Sequence, residues 1–175
     1  MGIRIGIDIG TVSAKLAAIG PAEQIEALAG GAPLGEVFPN PTEPGEAIVL
    51  SRYVRIQGRP LEAARELLGE LFERLDPADV SGVMATGSAG KLVGKTLDFH
   101  FENEFKTAAA AVGTLHPGVE NIFEMGGENS KYIKLSSEGG AIGIIDYETN
   151  GDCAAGTGSF MDQQASRLRF DIEEV

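Results

Sequence analysis

Ile3, Ile5, Ile7 and Ile9 put an apolar side chain at every second position of "IRIGIDI", a period that only an extended strand turns into one continuous face. Gly10 and Thr11 interrupt the pattern and "SAKLAAIG" resumes a β-like stretch, so the chain is expected to open with a β-hairpin. That hairpin carries a carboxylate, Asp8, near the end of a buried strand, immediately before a Gly-Thr turn whose amides could face a phosphate. Mg keeps most of its waters and is usually bound through one or two carboxylates plus phosphate oxygens, so an acid placed there can hold the hydrated ion. An ordinary hairpin with an Asp beside its turn has the same local pattern.

The stretch "FEMGGENSK" at 123–131 repeats the arrangement, with Glu124 in the place of Asp8 and Gly126 and Gly127 as the tight turn. Two such elements favour phosphate binding over coincidence. Composition agrees with a ligand-binding α/β domain: 175 residues with 43% hydrophobic content suffice for a real core. The 24 glycines, about twice the usual share, cluster in short motifs and not in linkers.

The intervening chain reads as alternating elements. Residues 30–46, rich in Gly and Pro, are expected to form a surface loop, followed by a strand over "AIVLSRYVRIQG". Leu61, Ala64, Leu67, Leu68, Leu71, Phe72 and Leu75 follow helical spacing between Pro60 and Pro77. A buried strand is expected over Val80 to Thr86, a helix from about Asn103 to Thr114, three strands in "NIFEMGG", "SKYIKLS" and "GAIGIIDY", and a helix over 155–169. The fold class is therefore mixed α/β, with a first lobe over 1–118 and the start of a second over 119–175.

Charge and cysteine usage narrow the function classes. Fourteen Lys and Arg against 26 Asp and Glu leave a net charge of -12 with no basic patch, which disfavours nucleic acid. No apolar run approaches a membrane span. The start shows no signal-peptide core, and Gly6 stands where myristoylation requires Ser or Thr. A single cysteine makes no internal disulfide, so the cytoplasm is the expected compartment.

"AGKLVGKT" at 89–96 fits a relaxed phosphate-loop pattern ending in Lys95 and Thr96. Such a loop runs from a strand directly into a helix, and "LDFHFEN" is a poor helix start, so Lys91 and Lys95 are read as surface charges. His100 and His116 have no metal-like grouping. Asn103 and Glu104 are expected at a helix start, with Asn103 as cap.

Cys153, the one cysteine, sits in "GDCAAGTGSFMDQQASRL". Together with "IGIDIGTVSAK", "NEFKTAAAAV" and "EMGGENSKYI", this block resembles the ATP-driven activators of 2-hydroxyacyl-CoA dehydratases, a family shared with the ATPase subunits of benzoyl-CoA reductase. The motifs run in the expected order over residues 1–175. The resemblance implies the ribonuclease-H-like lobes of the actin, heat-shock chaperone and sugar-kinase superfamily, whose two phosphate hairpins grip ATP-Mg. It implies Asp8, Glu124 and Glu128 as catalytic residues. Gly10, Thr11, Ser13, Lys15, Gly126, Gly127, Asn129 and Lys131 would meet the phosphates and Mg. Cys153 would ligate one 4Fe-4S cluster shared by two identical subunits, and the electron would pass to an iron-sulfur enzyme acting on a CoA thioester.

Two departures matter. Glu128 and Asn129 stand where the family commonly has Gln and Asp, which could alter how the attacking water is held. The family's second cluster cysteine and adenosine-binding loops lie downstream of the residues matched, so the chain is expected to correspond to the N-terminal portion of a larger activase. Two readings of other classes stay open: an actin-like, nucleotide-switched scaffold without a cluster, and a small-molecule kinase.

Overall fold

The computed structural model describes residues 2–29, 34–127, 129–136, 142–150 and 157–169. They divide into two compact units, Met1–Glu104 and Phe105–Val175. Cys153 and Glu128 lie outside the described residues.

The first unit is built on a seven-stranded mixed sheet. Strands β1 (Ile3–Ile9) and β2 (Ser13–Pro21) form the expected antiparallel hairpin, with Asp8 directly opposite Lys15. On its other side β1 runs parallel to β6 (Val80–Thr86), and β6 parallel to the short β7 (His100–Phe101). Beyond β2 lie β4 (Glu46–Ser51) and β3 (Leu34–Pro39), while β5 (Val54–Arg55) pairs with the turn end of β2. Two expectations are corrected here. Part of the segment read as a surface loop is strand β3, an edge that pairs only with β4, and the single strand expected after it is broken into β4 and β5. Arg52 sits at that break and donates to Glu66 at 2.5 Å and Glu70 at 2.6 Å on the next helix. The hydrogen bonds to Glu70 and Glu66 push its guanidinium above the ordinary arginine range.

Helices α1 (Ala22–Ala29), α2 (Pro60–Phe72) and α3 (Gly90–Leu97) complete the unit. Pro60 opens α2 because its fixed φ suits the first helical position and its missing N–H is no loss there. Ala64, Leu67 and Leu71 of α2 are buried with Ile3, Ile5, Ile7 and Ile9 in one core cluster. Each buried Ile or Leu side chain contributes about 1.5–3 kcal/mol, so the alternating isoleucines fix which face of β1 turns inward and hence where Asp8 points.

In the second unit α4 (Glu104–Leu115) lies with a three-stranded antiparallel sheet in the order β10 (Gly143–Thr149), β9 (Ser130–Ser136), β8 (Asn121–Met125), followed by α5 (Gly158–Leu168). Among the described residues its buried cluster holds Ala109, Ile133 and Leu135, with Phe105, Ala108, Val112, Ile122 and Ile144 packed around them. Among the described residues no helix is long and apolar enough to cross a membrane.

Candidate functional site

The first group of candidate residues gathers at the β1–β2 turn. The Gly10 N–H donates to the Ser13 carbonyl at 3.0 Å and closes the turn, so Thr11 and Val12 form its tip. A side chain on Gly10 would lie 3.3 Å from that same carbonyl. Val12 in turn accepts from the Ile56 amide at 2.9 Å, which ties the turn to the chain beyond β5. Lys15 reaches across the hairpin to Asp8, Nζ to Oδ2 3.2 Å, and its ammonium lies 5.4 Å from the centroid of the Tyr53 ring. Both charges are partly open to solvent, with side-chain exposures of 48% for Lys15 and 38% for Asp8. An ion pair so placed is worth about 0–1 kcal/mol, little enough for a ligand to displace.

A residue that sequence reasoning passed over completes this group. Gly87, the first residue after β6, has φ +88°, and a Cβ there would come within 2.4 Å of Asp8 Oδ1 and 2.5 Å of the Ile9 carbonyl. The Ala89 amide donates to that Ile9 carbonyl at 2.9 Å. The β6–α3 turn thus lies against the acid end of β1 because β1 and β6 run parallel with Asp8 beside Thr86. The only local signal was a Gly immediately after a buried strand; the pairing that gives it meaning is non-local.

The second group gathers at the β8–β9 turn with the same register, Glu124 directly opposite Lys131. The Gly126 N–H donates to the Asn129 carbonyl at 2.8 Å. A Cβ on Gly126 would lie 3.0 Å from that carbonyl and 3.2 Å from Glu124 Oε1. Lys131 donates to Glu124 Oε2, and its ammonium stands 5.8 Å from the centroid of the Phe105 ring. The lysine side chain is only 9% exposed. The Gly126 carbonyl accepts from the Gly158 amide at 2.8 Å, which docks the start of α5 on the turn. At the near end of β9 Asn150 bonds Ser130, its side-chain oxygen accepting from the Ser130 amide at 2.9 Å and its own amide donating to the Ser130 carbonyl at 3.2 Å.

At the first glycine of each turn a Cβ would be tight against the backbone, and each turn has a carboxylate two residues ahead of that glycine. Hydrated Mg and phosphate oxygens fit this donor set. Among the described residues no group of three or more His, Cys, Asp and Glu could by itself hold a metal ion. With one cysteine per chain, a cluster bound by four thiolates needs ligands from more than this stretch.

The remaining candidates stand apart. The phosphate-loop pattern is excluded by geometry, because α3 begins at Gly90 and runs to Leu97. The segment that should wrap a phosphate is itself helix, and Lys91 and Lys95 are exposed on it. His100 and His116 are likewise exposed, and Asn103 immediately precedes α4 as expected.

No protein-family profile matches the chain. It is 30% identical over 133 residues to the activator of lactoyl-CoA dehydratase from Anaerotignum propionicum, covering 75% of this chain and 49% of that protein. It is 29% identical, again over 133 residues, to the 2-hydroxyisocaproyl-CoA dehydratase activator of Clostridioides difficile, covering 75% and 48%. A solved structure of the activator of the 2-hydroxyisocaproyl-CoA dehydratase from Clostridium difficile, with bound ADPNP, matches 98% of this chain and 54% of that one, with a TM-score of 0.66 at 22% identity. The chain therefore spans about half the length of the curated relatives it matches. With two hairpins of the same design on a mixed α/β frame, the chain is a relative of the activators of 2-hydroxyacyl-CoA dehydratases and has their actin-like ATPase fold.

Proposed function

We propose that the chain belongs to an ATP-driven activase that delivers a low-potential electron to an iron-sulfur dehydratase or reductase acting on a CoA thioester. The observation that carries this reading is the repetition of one hairpin, an acid two residues before a turn-closing glycine and seven before a lysine. The names of the relatives support the activase role, and the ADPNP bound to one of them supports a nucleotide as ligand.

In this reading Asp8 and Glu124 serve Mg and the attacking water, and Glu128 is the third catalytic acid. Gly10, Thr11, Gly126 and Gly127 offer backbone amides to phosphate oxygens, and Ser13, Asn129 and Lys15 add side-chain donors. Carboxylates suit the metal because Mg prefers hard oxygen ligands and retains water. Cys153 and the same cysteine of a second copy, together with the family's downstream cysteine from each copy, would hold a 4Fe-4S cluster that supplies the one-electron chemistry; sharing it would make the protein a homodimer, and its cysteine usage suits the cytoplasm. Ala154, Ala155, Gly156 and Gly158 are small enough to let backbone amides approach such a group.

The test is to express the protein anaerobically as wild type and as Cys153→Ala, and to measure iron, acid-labile sulfide and ATP·Mg binding. The activase reading expects about two irons per wild-type chain, half of one shared cluster, lost in the variant while nucleotide binding persists. Absence of iron from both, with ATP-dependent partner binding unaffected by Cys153→Ala, would replace it with a nucleotide-switched scaffold. Asp8→Ala should abolish ATP binding and Lys95→Ala should leave it intact.

A further inference from the structure

We propose that Lys131 does not contact the nucleotide but is a positioning residue that fixes the carboxylate of Glu124, and that of the two hairpin lysines only Lys15 reaches phosphate. The inference rests on the nucleotide-binding reading above and divides the labour within it.

The two lysines occupy one register position in two copies of the same hairpin: Lys15 pairs with Asp8 and Lys131 with Glu124, each seven residues after its acid. Their surroundings differ. Lys15 is 48% exposed, and its contacts include Asp8 at 3.2 Å and the Tyr53 ring at 5.4 Å. Tyr53 itself is 67% exposed, so the ammonium can leave Asp8 for an arriving anion without crossing a packed core. Lys131 is 9% exposed, bonded to Glu124 Oε2 and set over the Phe105 ring, whose helix packs on the buried Ile133 and Leu135.

Burying an ammonium is costly unless an opposite charge or an equivalent set of acceptors stays beside it. Moving Lys131 to a ligand would strip that compensation from Glu124 and open the packing around Phe105. Holding it in place has a useful result. With Oε2 engaged by Lys131, the Glu124 carboxyl plane is fixed, and Oε1 lies against the turn, 3.2 Å from the position a Cβ on Gly126 would take. The oxygen nearest the turn is thus the one presented for metal or water. A preorganised carboxylate of this kind acts most where charge develops on the attacking water, so losing its positioning lowers turnover more than affinity.

The experiment compares wild type, Lys15→Met, Lys131→Met and Lys131→Gln in the full-length chain, with ATP·Mg affinity read by calorimetry and turnover at saturating ATP. Lys131→Gln retains a donor for Glu124 and serves if the apolar variant does not fold. The expected split is a loss of ATP·Mg affinity of tenfold or more for Lys15→Met, against a change within about threefold for the Lys131 variants, whose turnover falls tenfold or more. Glu124→Gln combined with Lys131→Gln should be no slower than Glu124→Gln alone, since both act on one carboxylate. An affinity loss for the Lys131 variants equal to that of Lys15→Met would overturn the proposal while leaving nucleotide binding intact. Failure of the wild type to bind ATP·Mg at all would remove the underlying reading, and this proposal with it.

Discussion

The hairpin that ends at Asp8 and the hairpin that ends at Glu124 share their register, their turn-closing glycine and their cross-strand lysine, yet they stand on unequal supports. The first lies within a seven-stranded sheet, flanked by β6, and the turn after β6 presses Gly87 against Asp8 and Ile9. The second lies in a sheet of three strands, and what touches its turn is the start of α5, through Gly158. Local sequence therefore dictates the turn, while the neighbour decides how tightly the acid is held and how much of the lysine water can reach. The strongly supported hairpin keeps its lysine open. The other buries its lysine: both have an ion pair and an aromatic ring, but Lys131 is 9% exposed where Lys15 is 48% exposed.

The largest test of this comparison substitutes the glycine behind each turn. Gly87→Ala places a Cβ against a backbone carbonyl at 2.5 Å and forces an L residue to φ +88°. Backbone strain of about 1–3 kcal/mol and overpacking of similar size predict a loss of about 3–5 kcal/mol in chemical denaturation. Gly158→Ala, at a helix start with its nearest foreign atom at 3.2 Å, should cost less than about 1 kcal/mol. Equal losses would break the claim that the first turn has the stiffer backing.

Next in size is removal of a central isoleucine from each core. Ile7 and Ile133 are both fully buried, and either truncation to Ala should cost about 2–5 kcal/mol. Because Ile133 lies at the centre of the second cluster, on the middle strand of its sheet, Ile133→Ala should accelerate amide hydrogen exchange throughout β8, β9 and β10. Ile7→Ala should act mainly on β1, β2 and β6. Exchange that rises uniformly in both variants would show that the two cores open as one.

The smallest effect concerns the lysines themselves. Lys15→Met removes a half-exposed pair and should change stability by less than about 1 kcal/mol. Lys131→Met leaves Glu124 without its buried partner and should cost about 1–3 kcal/mol. Thermal melts of the two variants side by side decide it, and a reversed order would contradict the assignment of Lys131 as a fixed strut.

Much of this was legible because it is local. The isoleucine alternation of β1, the Pro60-started apolar spacing of α2 and the acid-glycine turns each follow from a period or a turn residue within a dozen positions. The misses share a cause. Strand β3 has an irregular burial pattern and exists by pairing with β4, and α1 is only eight residues long, so neither announces itself locally. Helix α3 lies over the stretch read as a phosphate-loop pattern, since Val93 and Gly94 can bury against the sheet only if that segment coils. At the sites, Asp8 and Glu124 could be read directly, whereas Gly87 and Phe105 gain their meaning from β1–β6 pairing and from the packing of α4, which no short window contains.

The Gly126 turn also joins two groups in one rigid unit. The carbonyl of Gly126, which holds the amide of Gly158, and the N–H of Gly127 belong to one planar peptide unit and point in opposite directions. Rotation of that plate to aim the N–H at an incoming oxygen swings the carbonyl through the same angle. The N–H at the tip of the hairpin and the carbonyl that holds the first residue of α5 are rigidly joined, and α5 begins five residues after Cys153.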